Sequence, residues 1–153
     1  MARQIHLIVV GKLKDQHLEA VEADYLKRIV NPDLLIHEVK ATAENKEAEG
    51  EVILKKIRDL SQGTGAHIIC MTEWGKRSTS VAFAAWCRDL FERQNKVFFV
   101  IAGAEGFSDE VLKNCQERIS LSELTFPHKL ARILLVEQLY RAQTIRNGHP
   151  YHN

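Results

Sequence analysis

Two hydropathy rhythms alternate along this chain. Short unbroken apolar runs are separated by longer stretches in which apolar residues recur every three or four positions. A short apolar run reads as a buried strand, and the three-to-four spacing as a helix with one apolar face. Residues 5–10 form the first run, which ends at Gly11. Residues 15–29 follow with apolar positions 18, 21, 25, 26 and 29, and Asn31-Pro32 ends that helix. Residues 34–39 predict a second strand. Residues 44–60 predict an amphipathic helix on Val52, Ile53, Ile57 and Leu60, closed by Gly63 and Gly65. A third strand over 66–71 is followed by a predicted turn, Trp74-Gly75-Lys76. Ser78 is placed to cap a helix over 79–94, because its hydroxyl can accept from a free first-turn amide. Residues 97–101 predict a fourth strand. Ser108 heads a short helix with Asp109 and Glu110 near its positive end. Residues 118–121 predict a brief fifth strand. A long helix over 129–145 closes the pattern, stopped by Gly148 and Pro150.

This alternation predicts an α/β fold, a mostly parallel sheet with helices on both faces. No repeat, low-complexity segment or long linker divides the chain, so residues 1–153 are expected to form one domain. In open parallel sheets ligands sit beyond the carboxyl ends of the strands. The segments 71–76, 102–107 and 121–128 fall there and make the candidate site. The last helix carries apolar residues at 130, 131, 133–136, 139, 140, 142 and 145, an arc wider than one packed stripe. Such a helix is covered on more than one side, and in a chain this small a two-fold dimer is the natural second cover.

Composition adds little until charge is located. Hydrophobic residues at 45% and charged residues at 27% are ordinary for a soluble globular protein. The N-terminal apolar run is too short for a signal peptide, and no stretch approaches membrane-spanning length. Cys70, Cys87 and Cys115 are widely spaced and odd in number, which predicts reduced thiols and a cytoplasmic location. Net charge is +1, yet residues 125–153 hold Lys129, Arg132, Arg141 and Arg146 against Glu137 alone. A locally basic end on a near-neutral chain fits a specific anionic partner rather than a general polyanion binder. Neither DNA nor a membrane is expected as a partner.

Three segments carry candidate chemistry. Ala102-Gly103-Ala104-Glu105-Gly106 follows an apolar strand, and its small residues let the backbone approach a ligand closely; equally, it reads as a tight turn. It lacks the spacing of a dinucleotide fingerprint, and no phosphate-loop motif exists. The mixed apolar and hydroxyl loop 121–128 suits an adenine held by backbone hydrogen bonds, or serves only to start a helix at Thr125 or Pro127. The tail holds His149, Tyr151 and His152 after a sharp helix stop, and rings with polar edges suit a nucleobase. No metal is expected, because Pro150 breaks the His149–His152 spacing and no third ligand lies near. Trp86 shares a helix face with Phe83 and Leu90 and reads as core, whereas Trp74 reads as partly exposed at the site rim.

Taken together, Leu121-Ser-Glu-Leu-Thr-Phe-Pro-His128, the helix Leu130-Ala-Arg-Ile-Leu-Leu-Val-Glu-Gln-Leu-Tyr-Arg-Ala142 and the tail His149-Pro-Tyr-His152 resemble the ribosomal RNA large subunit methyltransferase H family. The resemblance spans the whole chain, including the N-terminal strand ending Val10-Gly11 and the Gly103-Ala-Glu-Gly106 loop. It implies the SPOUT fold with a C-terminal trefoil knot, a homodimer, and S-adenosylmethionine as cofactor. It implies methylation of N3 of a pseudouridine in 23S ribosomal RNA, on the large subunit or the assembled ribosome. Implied cofactor contacts are Met71, Ala102, Gly103, Leu121, Ser122, Glu123, Leu124, Thr125 and Phe126. Three positions depart from the family pattern: Ala102 replaces the first of two glycines, Thr72 a common aspartate, and Asn153 a terminal basic residue.

Transfer to an imide nitrogen needs its proton removed or its anion stabilised. His128, His152 and Glu105 are the candidate bases, and Arg132 and Tyr151 the candidate charge stabilisers. The sequence leaves the choice of base open. A non-catalytic ribosome- or RNA-binding protein of the same fold is the alternative, and a flavodoxin-like nucleotide module is a weaker one.

Overall fold

The structure, a computed structural model, describes residues 2–153. The chain runs β1 (Gln4–Val10), α1 (Gln16–Leu26), β2 (Asp33–Val39), α2 (Lys46–Ser61), β3 (Ala66–Lys76), α3 (Ser80–Arg93), β4 (Lys96–Ile101), α4 (Asp109–Asn114), β5 (Glu117–Ile119) and α5 (His128–Arg146). The five strands form one sheet in the order β2-β1-β4-β3-β5, and every pairing is parallel.

Strand periodicity divides the core in two. Leu7 and Val9 of β1 and Val97, Phe99 and Ile101 of β4 face α3 and α5. Their neighbours Ile8, Val10, Phe98 and Val100 face α2 and α4. Both faces are buried, which is why β1 and β4 read as continuous apolar runs.

Local signals place most element ends. Asp15 caps α1 by accepting from His17 N and Leu18 N, Asn45 caps α2, and Ser108 caps α4. The cap of α3 is Thr79 and not Ser78, as the Thr79 hydroxyl accepts from Ala82 N. The helix expected over 15–29 is shorter, ending at Leu26. The fifth strand stops at Ile119, so Ser120 and Leu121 already belong to the loop that follows.

The expected turn Trp74-Gly75-Lys76 is strand. β3 pairs Met71 with Ile119, bulges over the next four residues, and pairs Lys76 with Ile119 again. Gly75 makes this possible: a Cβ there would lie 2.5–2.6 Å from the backbone of Arg118 and Ile119. Tertiary pairing thus overrides a local sequence that reads as a turn.

The wide apolar arc of α5 divides. Ile133, Leu135, Val136, Leu139, Tyr140 and Ala142 are buried within the chain, chiefly against α3 and α1. Leu130 and Leu134 remain 44% and 39% exposed. Any second cover on this helix therefore falls on Leu130 and Leu134, and Leu135 is a core residue. Among the described residues, no helix is long and apolar enough to cross a membrane.

Candidate functional site

A cavity of about 370 Å³ opens at the carboxyl ends of β3 and β4. Its walls are the three segments that sequence reasoning placed there. From β3 come Met71, Thr72 and Trp74; from the loop after β4, Ala102, Gly103, Ala104 and Gly106; from the loop after β5, Leu121, Ser122, Leu124, Thr125 and Phe126. Of the nine expected cofactor contacts, eight line the cavity. Glu123 turns away, and its carboxylate pairs with Arg77 at 2.7 Å.

The geometry explains the two departures inside the cavity. Ala102 is absent from the positive-φ residues, so its methyl costs no backbone strain. Gly103 is the demanding position: a Cβ there would come within 3.0 Å of Glu49 Oε1 and 3.2 Å of Val10 Cγ1. Glu49 is itself buried under this loop and accepts a hydrogen bond from Thr42 N at 2.8 Å. Thr72 Oγ1 is buried with no partner in the protein. That oxygen is closed off from the open cavity, so it is a buried polar atom of the wall and not a contact offered to a ligand. α5 begins at the same cavity with Pro127 as its cap residue and no side-chain cap, so its first-turn amides have no side-chain acceptor. Small backbone-lined walls and uncapped amides suit a small polar ligand with an apolar body.

The expected catalytic residues are not all at this cavity. His128 lines it. Glu105 is exposed on the loop between two residues that line it. Arg132 is buried elsewhere: Nε and Nη2 donate to the two oxygens of Glu22 at 2.6 and 2.8 Å, and Nη1 donates to Glu38 at 2.7 Å. Burial opposes its charge, but the bonds to Glu22 and Glu38 outweigh this and raise its pKa. The guanidinium so engaged ties α1, β2 and α5 together, and the pocket that Arg132 shares with His128 and Lys129 holds only about 10 Å³.

The tail folds back on its own helix. Tyr151 packs edge-on against Tyr140, donates to Glu137 Oε1 at 2.8 Å, and lies 3.3 Å from the Tyr25 hydroxyl. Burial and the bonds to Tyr25 and Glu137 raise its pKa, so the phenol stays protonated. His152 Nδ1 lies 3.0 Å from Arg141 Nη1. Arginine can only donate, so Nδ1 accepts, and the neutral ring carries its proton on Nε2. The cavity reaches Ala131 on α5, ten residues before Arg141 and six before Glu137, or about 15 Å and 9 Å of axis at 1.5 Å per residue. His152, held by Arg141, and Tyr151, held by Glu137, are thus set along the helix outside the cavity of their own chain. A second cavity of about 260 Å³, lined by Ser80, Leu134 and Gln138 among others, shares Leu121 and Phe126 with the first. Among the described residues, no cluster of three or more His, Cys, Asp or Glu stands together as a metal site.

Sequence reasoning missed Glu49 and the Glu22–Arg132–Glu38 cluster. Glu22, Glu49 and Arg132 sit on helices and Glu38 on β2, at positions that read as solvated faces, and nothing local marks them as partners.

A family profile described as a predicted SPOUT methyltransferase matches residues 3–152. A Listeria monocytogenes protein named ribosomal RNA large subunit methyltransferase H is 43% identical over 161 residues, covering 97% of this chain and 98% of the relative. A protein of the same name from Bacteroides thetaiotaomicron is 40% identical over 157 residues, covering 96% and 97%. Among solved structures, a probable methylase family protein from Haemophilus influenzae superposes with a TM-score of 0.58 at 12% identity, covering 97% of this chain and 70% of that one. The SpoU methyltransferase AviRb of Streptomyces viridochromogenes, in complex with the cofactor AdoMet, gives 0.53 at 10% identity, covering 94% and 59%. At such identities the structures speak for the fold alone. The match over nearly the whole length of both relatives decides the matter: the chain belongs to the ribosomal RNA large subunit methyltransferase H family, within the SPOUT methyltransferases.

Proposed function

We propose that this protein methylates N3 of a pseudouridine in 23S ribosomal RNA, using S-adenosylmethionine held in the 370 Å³ cavity. The observation that carries the reading is that cavity, built from eight of the nine positions the family uses for its cofactor. One SPOUT domain spanning 1–153, with the C-terminal trefoil knot of the family, is part of the same proposal. Bound there, the cofactor supplies an electrophilic methyl group.

The chain's own residues have the remaining tasks. The loops at 102–103 and 121–126 offer backbone groups to hold the donor. His128 at the cavity wall is placed to take the imide proton, and Glu105 on the 102–107 loop is the second candidate base. His152, holding its proton on Nε2, is placed to donate to an oxyanion and not to accept, while Tyr151, whose one O–H is given to Glu137, offers its ring. Arg132 positions α5 without touching substrate. Because Tyr151 and His152 are held on α5 outside the lining of their own cavity, we assign them to the site of a second copy in a two-fold dimer. The exposed Leu130 and Leu134 and the neighbouring 260 Å³ cavity mark the face where that copy would seat.

Isothermal titration with S-adenosylmethionine and S-adenosylhomocysteine, in the presence of a chelator, tests the cofactor. Mass spectrometry of nucleosides from treated ribosomes tests the product. Binding without methylation would favour the non-catalytic alternative, and no binding of either ligand would reject the cofactor assignment.

A further inference from the structure

The mouth of the cavity is flanked by the two most exposed large hydrophobic side chains among the described residues. Trp74 is 85% exposed on one lip, and Leu124 is 71% exposed on the other. Large apolar surface left in water beside a cavity marks a place of contact. The backbone that carries Trp74 is firmly held. It sits in the bulge between Met71 and Lys76, both of which pair with Ile119, and Gly75 presses directly on the backbone of Arg118 and Ile119. Ser120 N donates to Lys76 O at 3.0 Å and closes the downstream end. Within that clamp Thr72 buries its hydroxyl while Trp74 projects outward. The fixed backbone sets where the indole emerges, and its face stays open to a partner.

We propose that Trp74, with Leu124 opposite, is a stacking platform that receives an unstacked nucleobase of the RNA substrate at the mouth of the methyl-donor cavity. This rests on the function proposed above. Chemistry on a base requires that base to leave its stack, and the lost stacking must be replaced. An indole face replaces it for any base, because every base has a π-face. Nearby charges favour the flat face of a base over a phosphate. Arg77 is neutralised by Glu123 at 2.7 Å, and Glu73 and Lys76 flank the bulge with opposite signs. Trp86, the other tryptophan, cannot take this role: it packs on Phe83 and Phe99, and its indole N–H donates to Glu117.

The test compares full-length Trp74→Ala and Trp74→Phe with the unaltered protein. For Trp74→Ala, kcat/KM on ribosomes lacking the modification should fall about tenfold, the worth of one base–aromatic stack. Trp74→Phe should recover most of it. S-adenosylmethionine affinity should stay within about twofold and sedimentation should not change, since the side chain is exposed and packs on little. A direct readout uses a single-stranded RNA oligonucleotide with S-adenosylhomocysteine present. It should quench tryptophan fluorescence in the unaltered protein and not in Trp74→Phe. Unchanged kcat/KM in Trp74→Ala overturns the proposal. So does a loss matched by weaker S-adenosylmethionine binding, which makes Trp74 a cofactor cover, or a loss matched by dissociation, which makes it a subunit contact. If the unaltered protein methylates nothing, the proposed function fails, and the quenching experiment still decides whether Trp74 meets a base.

Discussion

Arg132 on α5 is bound through two of its nitrogens by both carboxylate oxygens of Glu22 on α1, at 2.6 and 2.8 Å. The two side chains are 8% and 9% exposed, and a third bond to Glu38 ties in β2. Removing one partner strands a buried charge. Glu22→Ala is therefore expected to destabilise the fold by about 3–5 kcal/mol. Urea denaturation measures this, and a loss below about 1 kcal/mol would show that water replaces the carboxylate freely.

A second pair gives the fold a pH dependence. His6 Nδ1 lies 2.9 Å from His37 Nε2, and the His6 ring stacks on Phe98. Burial, and then the charge of His37, lower the His6 pKa to about 4; burial lowers that of His37 as well. Unfolded histidines titrate near 6.5. Between those values the unfolded chain binds protons that the folded chain refuses, so stability falls as pH drops from about 6.5 towards 4 and is fully present above. In His6→Phe, which keeps a ring on Phe98, the urea midpoint should decline less across that window. An unaltered pH profile would remove the histidine pair as its source.

Gly75→Ala should be among the most damaging single-methyl changes in the chain. The new Cβ would meet the backbone of Arg118 and Ile119 at 2.5–2.6 Å, and backbone cannot rotate aside. β3 and β5 must part, at a cost of about 1–3 kcal/mol or more. The same parting displaces Met71 and Leu121, so S-adenosylmethionine binding should weaken together with thermal stability. A variant with normal melting and normal titration would contradict the clamp.

Leu134→Lys tests the proposed dimer without touching the core, because Leu134 is 39% exposed whereas Leu135 is wholly buried. The chain should remain folded by circular dichroism and sediment as a monomer at micromolar concentration. A variant that sediments like the unaltered protein would place the interface elsewhere.

The tail separates structure from chemistry. Truncation after Asn147 removes Tyr151, which packs on the core through Tyr140, so some loss of stability, about 1 kcal/mol, is expected. His152→Ala removes a single hydrogen bond to Arg141 and should leave the fold intact. Its methylation rate should drop on the order of 10²-fold, as for loss of one donor to a developing oxyanion, with cofactor affinity little changed. Full activity in His152→Ala would confine the tail to a structural part.

The order of elements, both sheet faces, the three loops of the cavity and the family were legible in the residues themselves. Apolar runs, caps such as Asp15 and Ser108, and the 121–128 and 149–152 motifs are local signals, and local signals survive in a sequence. What the tertiary structure decided depends on residues far apart in the chain. The 74–76 segment is strand and not turn because β5, more than forty residues later, pairs on both sides of the bulge. Arg132 stands in a buried ion-pair cluster because α1 and β2 bring Glu22 and Glu38 to it. Tyr151 and His152 pack back on α5 because Glu137 and Arg141 hold them there. A charged or aromatic side chain reads the same in sequence whether it meets solvent, a salt bridge or a substrate; only the packing of distant elements distinguishes the three.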